Sequence, residues 1–193
     1  QDPPARMSVL VIQLPPRSRL GARVAGTDSS PGLRLPSEWT FVLSPDGRTV
    51  AQQGSAPAAL LPRADEVLLL LADADVSWHQ INVPKAPAAR LRAALVGVME
   101  EALLDDDEAL HFALAPDAAP GRQGWVAVTH RARLAAALDA LQTSGLNVQR
   151  VLPASLPSAP GRPARGHFCV AEDAHDEVPW LSLAREEGVL NLR

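Results

Sequence analysis

The segment His167-Phe168-Cys169 puts an imidazole and a thiol on one face of a strand, and Asp173 and His175 follow. Such side chains could ligate a cation or supply a nucleophile. Zinc, however, takes four ligands, often in paired Cys-x2–4-Cys or His-x3–5-His spacings. Neither spacing is completed here. Cys169 reads better as a small core residue. His79 and His111 fall within strands, where a satisfied core or edge histidine is the plainer interpretation. No serine sits in a G-x-S-x-G elbow, and neither G-x-x-x-x-G-K-[ST] nor G-x-G-x-x-G occurs. The first apolar stretch runs into PPRSRLGARVAG, whose prolines remove the N–H donors that a phosphate cradle needs.

The loudest polar feature is an acidic run: Glu100, Glu101, Asp105, Asp106, Asp107 and Glu108, with Leu104 inside it. Carboxylates at a helix C-terminus face its partial negative charge. Two readings stay open, a solvated turn and a docking patch for a basic partner. A calcium loop would need an Asp-x-Asp-x-Asp-Gly pattern, which is absent.

Alternating short strands and two helices must position these residues. Ser8 to Leu14 reads as a strand stopped by Pro15-Pro16. Trp39 to Leu43 and Thr49 to Gly54 read as a hairpin joined at Asp46-Gly47, since Asp-Gly supplies the positive φ that a tight turn needs. Glu66 to Ala72 is almost continuously apolar and reads as a strand buried on both faces. Val76 to Val83 follows as another. Pro87 to Leu104 is the best helix, with Leu91, Leu95, Val98 and Ala102 on its apolar stripe. Ala109 to Leu114 and Trp125 to Thr129 read as strands, with Leu110, Phe112 and Leu114 sharing a face. Thr129 is placed to cap a second helix, His130 to Ser144, whose stripe is Leu134, Leu138 and Leu141 and whose C-cap is Gly145. Leu146 to Leu152 returns as a strand. A proline-dense stretch to Gly166 precedes three short strands, the middle one opening at Pro179.

The whole chain has 193 residues and a net charge of −4, which argues against a nucleic-acid footprint. One cysteine allows no internal disulfide. No apolar run approaches the roughly 20 residues of a membrane span. Residues 1–6 read as an expression scar ahead of Met7. The expectation is a soluble α/β interaction module without catalytic activity.

Three segments sharpen that expectation: LLPRADEVLLLLADADVSWHQINVPKAP, LRAALVGVMEEALLDDDEALHFALAP and WVAVTHRARLAAALDALQTSGLNVQRVLP. In order and spacing they resemble the cytoplasmic domain of the type II secretion protein L family (GspL). The helix ending in the acidic stretch Glu100 to Asp106, running into Leu110 to Ala113, carries most of the likeness. The resemblance implies an α/β (α+β) fold related to actin-like, ribonuclease H-like ATPases. It implies a core subdomain at 7–85 plus 153–193 and an inserted helix–strand–strand–helix–strand subdomain at 86–152. Pro15 and Pro16 stand where such ATPases hold their phosphate loop, so the nucleotide site is expected to be degenerate, with no cofactor and no metal.

The resemblance also implies a single-pass protein at the cytoplasmic face of the bacterial inner membrane. Its partners would be the N-terminal domain of the secretion ATPase GspE and the platform proteins GspM and GspF, with homodimerisation open. The docking residues are expected at Glu100, Glu101, Leu104, Asp105, Asp106, Asp107 and Glu108. The competing readings are an actin-like nucleotide-binding protein of pilus assembly or division, and a small α/β enzyme using His167, Cys169 or His175.

Overall fold

The computed structural model describes residues 7–17, 34–103, 105–173 and 176–192, with the backbone alone for 169–173 and 176–178. Leu104, His175, the segment 1–6 and the Cys169 and Asp173 side chains therefore lie outside the described residues. Strands β1 (Val9–Leu14), β2 (Trp39–Ser44), β3 (Gln52–Ala56) and β4 (Glu66–Leu71) come first. Strand β5 (Ser77–Asn82), helix α1 (Ala88–Met99), β6 (Leu110–Leu114) and β7 (Gln123–His130) follow. Helix α2 (Arg131–Thr143), β8 (Arg150–Pro153), β9 (Arg165–Asp173), β10 (Asp176–Arg185) and β11 (Gly188–Leu192) complete the order.

The chain forms two compact units. One holds the described residues up to Ala72 together with Arg133–Ala154, and the other holds Asp73–Ala132 and Ser155 onward. This division departs from the expected boundary at 86–152, because long-range pairing decides it. β8 lies parallel to β4, with Leu69 opposite Val151, and so joins the first unit. β5 pairs with β7, Trp78 opposite Ala127, and so joins the second.

The first unit is a five-stranded mixed sheet of order β3-β2-β1-β4-β8. β1 runs antiparallel to β2 and parallel to β4. Leu10, Ile12, Val67, Leu69 and Leu71 are buried, with Leu10, Ile12 and Leu69 wholly inaccessible. β4 alternates, since Leu68 and Leu70 are only half-buried; it is not buried on both faces as expected.

The β2–β3 hairpin forms, but its loop runs from 45 to 51. The Asp46 carboxylate accepts the N–H groups of Arg48 at 2.9 Å and Thr49 at 2.8 Å, and the Thr49 hydroxyl at 2.9 Å. These bonds hold its pKa down to about 2 and turn the chain at residues that would otherwise begin the strand. Gly47 takes φ 71°, as the Asp-Gly pair required.

In α2 the buried residues are Arg133, Leu134, Ala137 and Leu141, while Leu138 is half-buried. Gly145 has φ 75°, and its N–H donates to Gln142 O while Leu146 N–H donates to Leu141 O. That bonding pattern closes the helix as a Schellman motif. Thr129 does not cap α2: it lies in β7 and its hydroxyl donates to the Asp75 carbonyl at 2.8 Å.

The second unit contains two three-stranded antiparallel sheets, β5-β7-β6 and β11-β10-β9. Leu95 and Met99 of α1 are buried in one cluster with Leu110, Val126 and Val128, and Phe112 and Leu114 pack on it as expected. The α1 stripe is rotated from the expected one: Met99 is buried and Val98 is 51% exposed. Both lie one turn beyond Leu95, and the longer, unbranched Met99 takes the core position. The helix also stops earlier than expected, passing at Glu100 into a short 3-10 turn, Glu100–Ala102.

In the other sheet, Pro179 lies within β10, not at its start. β11 pairs only from Leu181 onward, so Pro179 has β9 as its one neighbour; proline is tolerated at such an edge. Trp180, Ser182 and Ala184 are buried on one face. On the other, Leu181 stands between Phe168 and Leu192, and Leu183 beside Leu190. Phe168 there is 77% exposed, and Leu190 and Leu192 are 43% exposed.

Candidate functional site

The acidic run follows α1 through two short 3-10 turns, Glu100–Ala102 and Asp107–Ala109. Its residues divide by what they touch. Asp106 caps the second turn, accepting the Glu108 N–H at 3.1 Å. Asp107 lies 3.7 Å from Arg92, whose guanidinium also donates to the Asp107 carbonyl at 2.7 Å. The same guanidinium stands 5.6 Å over the Phe112 ring. Asp105 faces His130 at 3.5 Å. The three aspartates are thus engaged with their surroundings. Glu100, Glu101 and Glu108 are exposed, as are Asp105 and Asp106. Leu103 packs against the core cluster.

A cleft of about 570 Å³ begins where α1 ends. Val98, Met99 and Ala102 line it from the helical side, and residues 78–81 of β5 with Trp125 of β7 line it from the sheet. Glu186 and Glu187, from the turn between β10 and β11, complete the lining. Trp78 and Trp125 meet edge to face, with centroids 6.5 Å apart at 88°. Gly188 sets that turn with φ 135°, a conformation side chains disfavour, and a Cβ there would stand 3.8 Å from the Trp125 ring. Sequence reasoning missed this cleft because its walls come from four distant segments. The pairing of two tryptophans within strands was the available signal.

Among the described residues, the histidines form no metal or nucleophile site. His167 Nε2 lies 3.2 Å from the Asp73 carboxylate. The Ser155 N–H and hydroxyl reach that carboxylate at 2.7 and 2.8 Å, and Asn191 donates to the Asp73 carbonyl at 3.0 Å. Serine and histidine both address the acid here. In a Ser-His-Asp relay the histidine must stand between them. His79 meets the Ser77 hydroxyl at 3.1 Å, and burial lowers its pKa. Burial also lowers that of His111, helped by Arg131 and Arg92. Among the described residues no three His, Cys, Asp or Glu side chains gather as a metal site. After β1, the Pro15 carbonyl accepts a 2.6 Å hydrogen bond from the buried Arg133 guanidinium.

The comparisons with known proteins give these features a context. A curated relative, type II secretion system protein L of Dickeya chrysanthemi, is 32% identical over 85 residues, covering 44% of this chain and 21% of its own length. The chain thus spans about a fifth of that relative. The cytoplasmic domain of EpsL, an inner-membrane component of the type II secretion system of Vibrio cholerae, superposes with a TM-score of 0.57 at 17% identity. That match covers 96% of this chain and 71% of the other, and it shows a shared mixed α/β fold. A Bacteroides thetaiotaomicron protein with an actin-like ATPase fold and unknown function gives a TM-score of 0.42 at 8% identity, over 96% of this chain and 68% of that one. The family model for type II secretion system (T2SS), protein L matches residues 34–159, including the whole acidic run. The chain belongs to the type II secretion system protein L family.

Proposed function

We propose that this chain is a non-catalytic scaffold at the cytoplasmic face of the inner membrane, which recruits the secretion ATPase GspE through the acidic stretch after α1. Membership of the protein L family supports a part in the inner-membrane platform of type II secretion. The observation that carries the docking site is the division of the acidic run: Glu100, Glu101 and Glu108 are exposed in consecutive 3-10 turns. Carboxylates so placed steer a basic surface and set its orientation. The same reading includes contacts with the platform proteins GspM and GspF. No helix among the described residues is long and apolar enough to cross a membrane.

The test is a pull-down and titration with the N-terminal domain of the ATPase. Reversal of the three glutamates, Glu100→Lys, Glu101→Lys and Glu108→Lys, is expected to weaken binding at least about tenfold and to flatten its salt dependence. Asp105, Asp106 and Asp107 are poorer targets, since reversing them would also break the contact with His130, the cap of the second 3-10 turn and the pair with Arg92. Unchanged affinity in the triple variant rejects this docking site.

A further inference from the structure

The cleft between α1 and β5 asks for an occupant with two properties. Its aromatic wall, Trp78 with Trp125, offers ring faces that attract a cation. Its rim carries Glu186 and Glu187, and Glu100 and Glu101 directly follow the lining residue Met99. Arg185 lies 3.6 Å from Glu187, and Glu186 accepts the Gly161 N–H at 3.3 Å; both carboxylates are exposed. His79 also lines the cleft. Burial disfavours its protonation, so it adds no opposing charge at neutral pH. The second property is apolar: Val98 is 51% exposed at the cleft, beside the half-buried Ile81. The Trp78 indole N–H is closed to solvent, so Trp78 offers the occupant ring surface only.

We infer that this cleft receives a peptide segment of a partner protein, presenting one arginine or lysine side chain between apolar residues. The cation lies against the tryptophans and between the carboxylates, and the flanking apolar side chains cover Val98 and Ile81. A free amine has the charge without the apolar body, and a purely apolar helix has no use for the acidic rim. The inference rests on the reading of the chain as a docking module for basic partners, and it gives that module a second, concave contact.

The probe is a capped peptide with one arginine flanked by leucines, compared with the same peptide carrying glutamine in place of arginine. Calorimetry and tryptophan fluorescence follow binding to the whole chain. The arginine peptide is expected to bind about tenfold more tightly than the glutamine peptide. Glu186→Lys with Glu187→Lys, both exposed turn residues that leave the core intact, should abolish that preference. Val98→Ser should remove apolar seating for the peptide's leucines and weaken the arginine peptide at least about threefold. Equal binding of the two peptides, or an arginine preference that survives the double reversal, overturns the proposal. The ATPase domain separates the two ideas. If it fails to bind the wild-type chain while the peptide preference holds, recruitment is wrong and the cleft stands. If it binds while the peptides are not distinguished, the cleft assignment is wrong and recruitment stands.

Discussion

Asp73 is 4% exposed and accepts hydrogen bonds from the Ser155 backbone and side chain. Its carbonyl takes Asn191, and its carboxylate faces His167. The row His167–Ser182–Asn191 across β9, β10 and β11 supplies two of those contacts. Asp73→Ala leaves the part-buried Ser155 donors without their acceptor and is expected to cost about 1–3 kcal/mol in denaturant unfolding. Activity-style chemistry at His167 would instead predict a change in reactivity with stability intact. His79 and His111 give a second residue-scale expectation. Both have pKa values below the ordinary 6.5, so the unfolded chain binds protons more readily than the folded one. Their contribution to stability is fully present above about 6.5 and is lost as the pH falls through their folded values. Proton-detected titration should place both midpoints below 6.5, and unfolding midpoints should fall over the same interval. Midpoints at or above 6.5 would contradict the burial assigned to them.

Helix α1 shows what an element's pattern can and cannot specify. The spacing of Leu91 and Leu95 fixed one face, but residues three and four beyond Leu95 fit that face about equally with a 3.6-residue period. Sequence alone favoured Val98; the folded unit buries Met99 to 1% exposure. Met99→Ala is expected to cost about 2–5 kcal/mol, and Val98→Ala to change stability by no more than about 0.5 kcal/mol. Equal losses in urea unfolding would restore the original stripe. Local chemistry was legible elsewhere. Asp46-Gly47 announced a turn and Gly145 a helix end, because positive φ is a demand that few residues meet. Leu110, Phe112 and Leu114 announced a core-facing strand. What stayed hidden were the effects of side chains on their neighbours, such as Asp46 drawing Arg48 and Thr49 into the loop and delaying β3 to Gln52.

For the molecule as a whole, the mixed α/β class followed from alternating strand and helix patterns, and the family from the order of three segments. The division into units did not. It depends on β8 returning beside β4 and on β5 choosing β7, pairings that period and propensity leave undetermined. The proposed docking residues stand in the sequence as an acidic run, whereas the partners of Asp105, Asp106 and Asp107 emerge only in the folded chain. The cleft was illegible for the same reason as the unit boundary: Trp78, Val98, Trp125 and Glu186 meet only after folding.

The uncovered face of the β9-β10-β11 sheet bears on how the protein behaves at the bench. Phe168, Leu190 and Leu192 stand exposed beside Leu181 and Leu183 while the chain is fully folded. A solvatochromic dye such as anilinonaphthalene sulfonate should therefore fluoresce on the native protein at room temperature. Phe168→Ser is expected to remove much of that signal without shifting the circular-dichroism melting curve by more than a few degrees. Dye-based thermal screens of this protein would then start from a bright baseline, and melting points should be read from ellipticity or calorimetry.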